Sequence, residues 1–138
     1  MLVNGWLYAT GGLDGTETST ETVERAPFSN GSLGAWITDA PMTDRRSHHG
    51  LASDGKFLYA TGGLERVDGQ FNQDVERTDV LRAAINEDGS LGAWESIAPT
   101  PIAIAVHSSF VHAGMLYLVG GLNMGPSKFL ETVQRAPI

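Results

Sequence analysis

Three short apolar segments recur along the chain, and each contains a glycine pair. The first two read LYATGGL, at positions 7–13 and 58–64, and a looser copy, LYLVGGL, lies at 116–122. Each begins with a run of aromatic and aliphatic residues bounded by glycine-bearing turns, which is the pattern of a short buried β-strand. No segment carries a sustained apolar period of about 3.6 residues with caps, so the pattern predicts no helix.

Other segments repeat in a fixed order around these strands. The sequence GSLGAW occurs at 31–36 and 89–94, and Ala-Pro follows each tryptophan after three residues. A Val-x-Arg-Ala segment follows each glycine pair, within 21–27, 78–84 and 131–137. The first glycines of the pairs are 51 and then 58 residues apart. A period of this size indicates stacked copies of one supersecondary unit, in which each copy covers the apolar face of its neighbour.

Turn signals separate the strands within each repeat. Asn30-Gly31 and Asp88-Gly89 precede the tryptophan segments, and Asp54-Gly55 precedes the second glycine-pair strand. These dipeptides tolerate the positive φ angles that tight hairpins require. Each full repeat therefore predicts four short strands joined by turns.

The chain resembles the kelch repeat family, in the form of the bacterial-type kelch-like β-propellers. The residues that carry the resemblance are the three glycine pairs, the tyrosines three residues before them and two tryptophans: Gly11-Gly12, Gly62-Gly63, Gly120-Gly121, Tyr8, Tyr59, Tyr117, Trp36 and Trp94. The resemblance covers essentially the whole chain. It implies an all-β fold of four-stranded kelch-type propeller blades.

With the blade strands lettered a to d from the propeller axis outward, the chain reads as about two and a half blades. Residues 1–42 form a partial blade with strands b, c and d, residues 43–98 a complete blade, and residues 99–138 a partial blade with strands a, b and c. Propellers close with about 4–8 blades, so these residues predict an incomplete propeller. The remaining blades would come from a longer chain, which we favour, or from a homo-oligomer. Alone, the chain should be oligomeric, aggregation-prone or marginally stable.

Composition narrows the possible partners. The 138 residues carry a net charge of −7, with Arg45-Arg46 the only adjacent basic pair, which argues against nucleic acid. No apolar run approaches the length of a membrane helix, and the first residues do not predict a signal peptide, so the compartment stays undetermined. The absence of cysteine excludes thiolate zinc sites and the Cys–Tyr crosslink of galactose-oxidase-like copper enzymes. We predict no metal and no cofactor.

In the kelch family the d–a and b–c loops share one face, where ligands usually bind. Here the d–a loops are residues 42–49 and 100–107, and the b–c loops are residues 14–21, 65–77 and 123–131. Their lengths and contents differ while the strands repeat, which is typical of a binding face on a fixed scaffold.

Five loop residues are candidate ligand contacts: Arg45, Arg46, His48, Arg66 and Phe71. An arginine at the entrance of strand a can bind a carboxylate or sulfate bidentately, and the alternative is a solvated pair that balances Asp44 and its neighbours. His48 and His49 should point to opposite faces of a strand and so should not chelate one ion. His49 recurs as His107, which favours a structural hydrogen bond. Phe71 could stack on a ligand or cover a blade end.

No nucleophile elbow, phosphate loop or catalytic triad is visible, and we name no catalytic residue. The sequence therefore favours a non-catalytic binding or scaffold module that recognises a protein or glycan through its d–a and b–c loops. The alternative is part of a propeller enzyme that acts on sugar acids, of the mutarotase, isomerase or lyase type.

Overall fold

The computed structural model describes residues 1–70, 73–123 and 128–138. Its regular structure in these ranges is β, without an α-helix, as the apolar pattern predicts. Accordingly, the described part of the chain holds no helix that could cross a membrane. The strands form three main antiparallel sheets in chain order.

The first sheet holds the first glycine-pair strand. Its strands are β1 (Leu2–Val3), β2 (Trp6–Thr10), β3 (Val23–Ser29), β4 (Ser32–Leu33) and β5 (Ile37–Thr38). They lie in the order β1, β2, β3, and both β4 and β5 pair with β3. Asn4 and Gly5, with φ of 49° and 79°, join β1 to β2 in a tight hairpin.

The second sheet has four strands, as a whole repeat predicts. They are β6 (Gly50–Ser53), β7 (Phe57–Thr61), β10 (Val80–Ala84) and β11 (Glu95–Ser96), in chain order across the sheet. The connection from β7 to β10 carries a separate two-stranded ladder of β8 (Leu64–Glu65) and β9 (Val75–Glu76).

The third sheet repeats the inner three strands of the second. They are β12 (Ser108–His112), β13 (Met115–Val119) and β16 (Val133–Pro137). A ladder of β14 (Leu122–Asn123) and β15 (Lys128–Phe129) occupies the place of β8 and β9. The division of the chain at residues 42 and 98 stays a prediction.

Two apolar cores fill the spaces between successive sheets. The core between the first and second sheets is built on Tyr8, Val23, Met42, Leu58, Ala60, Leu81, Ala83, Leu91 and Trp94. The core between the second and third sheets is built on Ala52, Tyr59, Val80, Ile104, Leu116 and Leu118. Side chains alternate across β7, so that Leu58 and Ala60 face one core while Tyr59 faces the other.

Tyr117 departs from its repeat position. Its counterparts Tyr8 and Tyr59 are buried, but Tyr117 is only half-buried and stacks on Phe110 with 4.9 Å between ring centroids. It lies on the face of β13 opposite Leu116 and Leu118, and no fourth sheet among the described residues covers that face. The repetition of LYATGG as LYLVGG predicts that Tyr117 is as buried as Tyr8 and Tyr59, and this prediction is wrong.

The glycine pairs recur because the next repeat lies against them. Gly62 has φ of 55°, and a Cβ at this position would collide with the Ile104 carbonyl of the following d–a loop. The backbone N–H of Gly63 donates to that same carbonyl at 2.8 Å. Only glycine combines this backbone conformation with so close an approach.

Gly62→Ala should therefore be more destabilising than Gly120→Ala. Both glycines have positive φ, 55° and 66°, so both substitutions incur the cost of a left-handed alanine, about 1–2 kcal/mol. Gly120 has open space, with Leu130 O at 3.7 Å as the nearest atom to an added Cβ. Gly62→Ala must also displace the loop that contains Ile104. We therefore expect it to lower the free energy of unfolding by about 2 kcal/mol more than Gly120→Ala does. Urea titration of both variants checks this, and equal losses would contradict the close approach.

Candidate functional site

The d–a and b–c loops meet on one side of the sheets. Ser47, in the first d–a loop, exchanges two backbone hydrogen bonds with Leu64, each 2.8 Å long. Ala105 and Leu122 repeat this bridge in the next unit, at 3.0 and 2.8 Å. The structure thus brings together the loops in which the sequence places the candidate residues, and we call this side the loop face.

Ser19 ties the first b–c loop to the second unit. Its side chain is buried, its hydroxyl accepts the backbone N–H of Arg66 at 2.9 Å, and it lies 3.1 Å from the Ser47 hydroxyl. Within the same loop, one Asp14 carboxylate oxygen accepts the backbone N–H groups of Thr16 and Thr18 at 2.8 and 3.0 Å. Hydrogen bonds from Thr16 and Thr18 lower the pKa of Asp14. These hydrogen bonds shape the turn of the first b–c loop and anchor the loop to the second unit.

Arg46 is fully buried, with 0% of its side chain exposed. Its guanidinium donates to the Gly62 carbonyl at 3.1 Å and to the Asp79 carboxylate at 2.5 Å. Asp44 lies farther away, at 3.8 Å. Arg46 thus has partners inside the fold, and the ligand role assigned to it from sequence stays a prediction.

Asp44 also connects Arg46 to a second arginine. The Arg77 guanidinium lies 3.7 Å from Asp44 and forms a closer ion pair with Glu65. This network of two arginines and three carboxylates is largely neutralised internally, so it attracts an external charge only weakly.

Arg66 is also paired within its own loop. Its Nε and Nη2 donate to the two Asp74 oxygens at 2.8 and 2.7 Å, a bidentate geometry, and the side chain is buried. The hydrogen bonds to Asp74 raise the pKa of Arg66. Its predicted ligand role is untested, and Phe71, the candidate beside it, lies outside the described residues.

Arg45 and His48 are the candidates that reach solvent. The Arg45 side chain is half exposed, and its Nε lies 3.3 Å from Glu21. His48 is exposed, with φ of 56°, and its Nδ1 lies 3.0 Å from the Ser47 hydroxyl. The His48 carbonyl accepts the backbone N–H of Val106 at 2.8 Å. Val106 occupies the same repeat position, with φ of 55° and 60% exposure. We call Arg45, His48 and Val106 the d–a patch.

His49 and His107 are structural, as their repetition predicts. Nε2 of His49 lies 2.8 Å from the Thr10 hydroxyl of the preceding sheet, and Nε2 of His107 lies 2.8 Å from the Thr61 hydroxyl. Burial lowers the pKa of each histidine to about 4, and the nearby Arg46 charge adds to this for His49. Both rings are therefore neutral at pH 7 and join successive sheets.

Stability should fall on mild acidification because of these histidines. Their pKa in the folded state, about 4, lies below the ordinary 6.5. The unfolded chain therefore binds more protons at the histidines between these values, so their contribution to stability declines as pH falls from about 7 to 4 and changes little below pH 4. His49 should contribute about 2 kcal/mol between pH 7.5 and 5, and the more exposed His107 less.

Urea unfolding across this pH range measures the slope of the free energy of unfolding against pH. His49→Gln, which keeps a hydrogen-bonding group for Thr10, should flatten it, whereas His112→Gln at an exposed hairpin position should leave it unchanged. An unchanged slope in His49→Gln would show that the ring titrates normally in the folded protein.

Asp79 is the partner that the sequence interpretation missed. It lies 33 residues from Arg46, and its repeat equivalents are Thr22 and Thr132. In the next unit, Ile104 replaces Arg46 where Thr132 replaces Asp79. The arginine and the aspartate are thus replaced together in the same repeat. This paired replacement is the sequence signal from which their contact could have been predicted.

The described residues hold no group of three metal-ligating side chains. Ser47, the hydroxyl beside His48, is 1% exposed and bonded within the loop face, so a substrate cannot reach it.

No family model matches the chain. Among curated proteins, it is 29% identical over 103 residues to Kelch repeat and BTB domain-containing protein 12 of Danio rerio, and 32% identical over 92 residues to Kelch-like protein 13 of Homo sapiens. These alignments cover 73% and 64% of this chain. The chain spans only 15% and 12% of the length of these relatives.

The solved structure of YjhT, a β-propeller-type protein, superimposes with a TM-score of 0.74 at 16% identity, over 97% of this chain and 40% of that one. This likeness concerns the fold alone. The repeated glycine pairs and the curated relatives make the chain similar to kelch-repeat proteins, and its sheets are blades of the β-propeller type.

Proposed function

We propose that the chain is a non-catalytic interaction module whose ligand is a protein bound at the loop face. The d–a patch is the observation that carries this proposal. It presents an arginine, a histidine and an exposed valine on two neighbouring loops that are hydrogen-bonded to each other. A patch that combines apolar area with arginine suits a protein surface.

The buried charges support the same conclusion. Arg46 and Arg66 are bound to Asp79 and Asp74, so a small anionic substrate meets neither as a free cation. Catalysis on a sugar acid requires converging acid, base and anion-binding groups. Among the described candidate residues of the loop face, only Arg45 and His48 are exposed.

A photo-crosslinking amino acid at Val106 tests the proposal. In extract from the source organism, it should capture one protein reproducibly, and the same amino acid at the exposed Lys56 of the opposite hairpin end should not. With the captured protein purified, Arg45→Ala together with Val106→Asp should weaken binding at least about tenfold. Unchanged binding in this double variant would contradict the proposal.

Two parallel assays address the other ligand classes that the sequence leaves open. Glycan-array binding that depends on Arg45 would replace a protein ligand with a carbohydrate. Turnover of a sugar acid that Arg45→Ala abolishes would make the chain part of an enzyme. Either result would overturn the proposal.

A further inference from the structure

Two asparagine–glycine turns lie at the end of the first sheet opposite the loop face. Asn4-Gly5 joins β1 to β2, and Asn30-Gly31 joins β3 to β4, each as a two-residue hairpin loop. Their backbone angles nearly coincide, with φ of 49° and 79° in the first turn and 52° and 76° in the second. All four residues are exposed. The chain thus presents the same dipeptide twice, in the same kind of tight hairpin.

An asparagine that precedes glycine is chemically labile. The glycine backbone nitrogen attacks the asparagine Cγ, the Cγ–Nδ2 bond breaks, and ammonia leaves with the proton of the attacking N–H, which closes a succinimide ring. Water then opens the ring at either carbonyl to give aspartate or isoaspartate, and both products carry one more negative charge. Glycine has no side chain to obstruct the attack. Because the hairpin must open before the two atoms meet, local opening sets the rate.

The Asn4 turn is anchored to its surroundings. Asn4 Nδ2 donates to the Gly55 carbonyl, in the hairpin between β6 and β7, at 2.8 Å. The Gly5 carbonyl accepts the backbone N–H of Phe28 at 2.7 Å. Val3, which precedes the turn, packs against the first core. Ring closure at Asn4 must break the hydrogen bond of the leaving amide and detach the turn from its neighbours.

The Asn30 turn lacks these anchors. Its side-chain amide forms no hydrogen bond with any described residue. A Cβ added to Gly31 would meet no atom within 4 Å, so the turn has open space around it. The strand that follows, β4, is a two-residue edge strand, and both of its residues are exposed. A segment with so few buried contacts opens at low cost.

We propose that Asn30 is a site of spontaneous deamidation and that its isoaspartate product releases β4 from β3. The isoaspartate linkage runs through the side chain, so one extra atom enters the main chain of a two-residue turn. Ser29 and Ser32 then lose the register in which they pair across it. The adjacent hydrogen bond from the Gly34 N–H to the Pro27 carbonyl, 2.8 Å long, opens with the ladder. The site is distant from the loop face, and the inference is independent of the ligand bound there.

Peptide mapping by mass spectrometry of the full chain, aged in mildly alkaline buffer, tests the site. The peptide that contains Asn30 should accumulate deamidated product at least about tenfold faster than the peptide that contains Asn4, because the Asn4 turn must break more hydrogen bonds to open. In concentrated urea both turns are lost, and the two rates should converge. Equal rates in the folded chain would overturn the proposal, as would an Asn30 that reacts in urea and is inert in the folded chain.

Asn30→Asp is the matched control for the release of β4. It adds the same charge as isoaspartate but keeps the ordinary main chain. In the isoaspartate form, separated by chromatography, the Gly34 amide should exchange its hydrogen several-fold faster than in the unmodified chain. Asn30→Asp should leave this exchange unchanged, and amides of β2 should exchange alike in all three proteins. Unaltered Gly34 exchange in the isoaspartate form, or equal acceleration in Asn30→Asp, would refute the release of β4 by the altered backbone.

Discussion

Trp94→Ala should lower the free energy of unfolding by about 3–5 kcal/mol. The ring is 5% exposed, lies in the core between the first and second sheets, and donates its N–H to Ala40 in the first sheet. Its removal leaves a cavity at the sheet junction and an unpaired Ala40 carbonyl. Urea unfolding followed by circular dichroism measures the loss.

Trp36 supplies the matched control. It occupies the same repeat position, but it is 46% exposed, and so Trp36→Ala should cost less than about 1 kcal/mol. Similar losses of unfolding free energy in the two variants would show that Trp94 is packed no more tightly than Trp36. A loss below about 1 kcal/mol for Trp94→Ala would place that ring in solvent.

Asp79→Thr should lower the free energy of unfolding by about 3 kcal/mol. The substitution removes the carboxylate that lies 2.5 Å from the Arg46 guanidinium and leaves a fully buried cation with Asp44 3.8 Å away. Threonine is the residue that the neighbouring repeats carry at this position, so the change is compatible with the strand.

The double variant Arg46→Ile with Asp79→Thr should recover most of this loss. It reproduces the combination of Ile104 and Thr132 in the next unit, where Ile104 is fully buried. Replacing a buried ion pair with apolar packing is often neutral or stabilising. If the double variant is as unstable as Asp79→Thr, the arginine contributes through packing and its charge is irrelevant.

The repeated segments of the sequence were sufficient to predict the strands and most of the core. The strands β2, β7 and β13 lie where LYATGG and LYLVGG predict them, and Leu58, Tyr59, Val80, Trp94 and Leu116 are buried. Periodicity succeeds here because each repeat covers its neighbour in the same way. Tyr117 fails the same rule because its burial requires a following sheet that the described residues do not include.

The candidate site was harder to predict, because pairing across the loop face depends on residues distant in sequence. Arg45 and Arg46 are adjacent and chemically identical, yet one is exposed beside Glu21 and the other is enclosed with Asp79. Arg46 is the enclosed arginine because its side chain, and not that of Arg45, turns toward Gly62 and donates to the Gly62 carbonyl. His49 was predictable because its interaction repeats in His107, whereas Arg66 and Asp74 form a pair that occurs in one loop only.

Exchange of the indole N–H protons tests the central claim, that successive repeats pack as equivalent blades, most directly. Two-dimensional NMR in D₂O resolves the three indoles of the chain. We expect the Trp94 proton, which is hydrogen-bonded to Ala40 across the sheet junction, to exchange far more slowly than that of the exposed Trp36. Equally rapid exchange of both protons would contradict face-to-face packing of the first and second sheets.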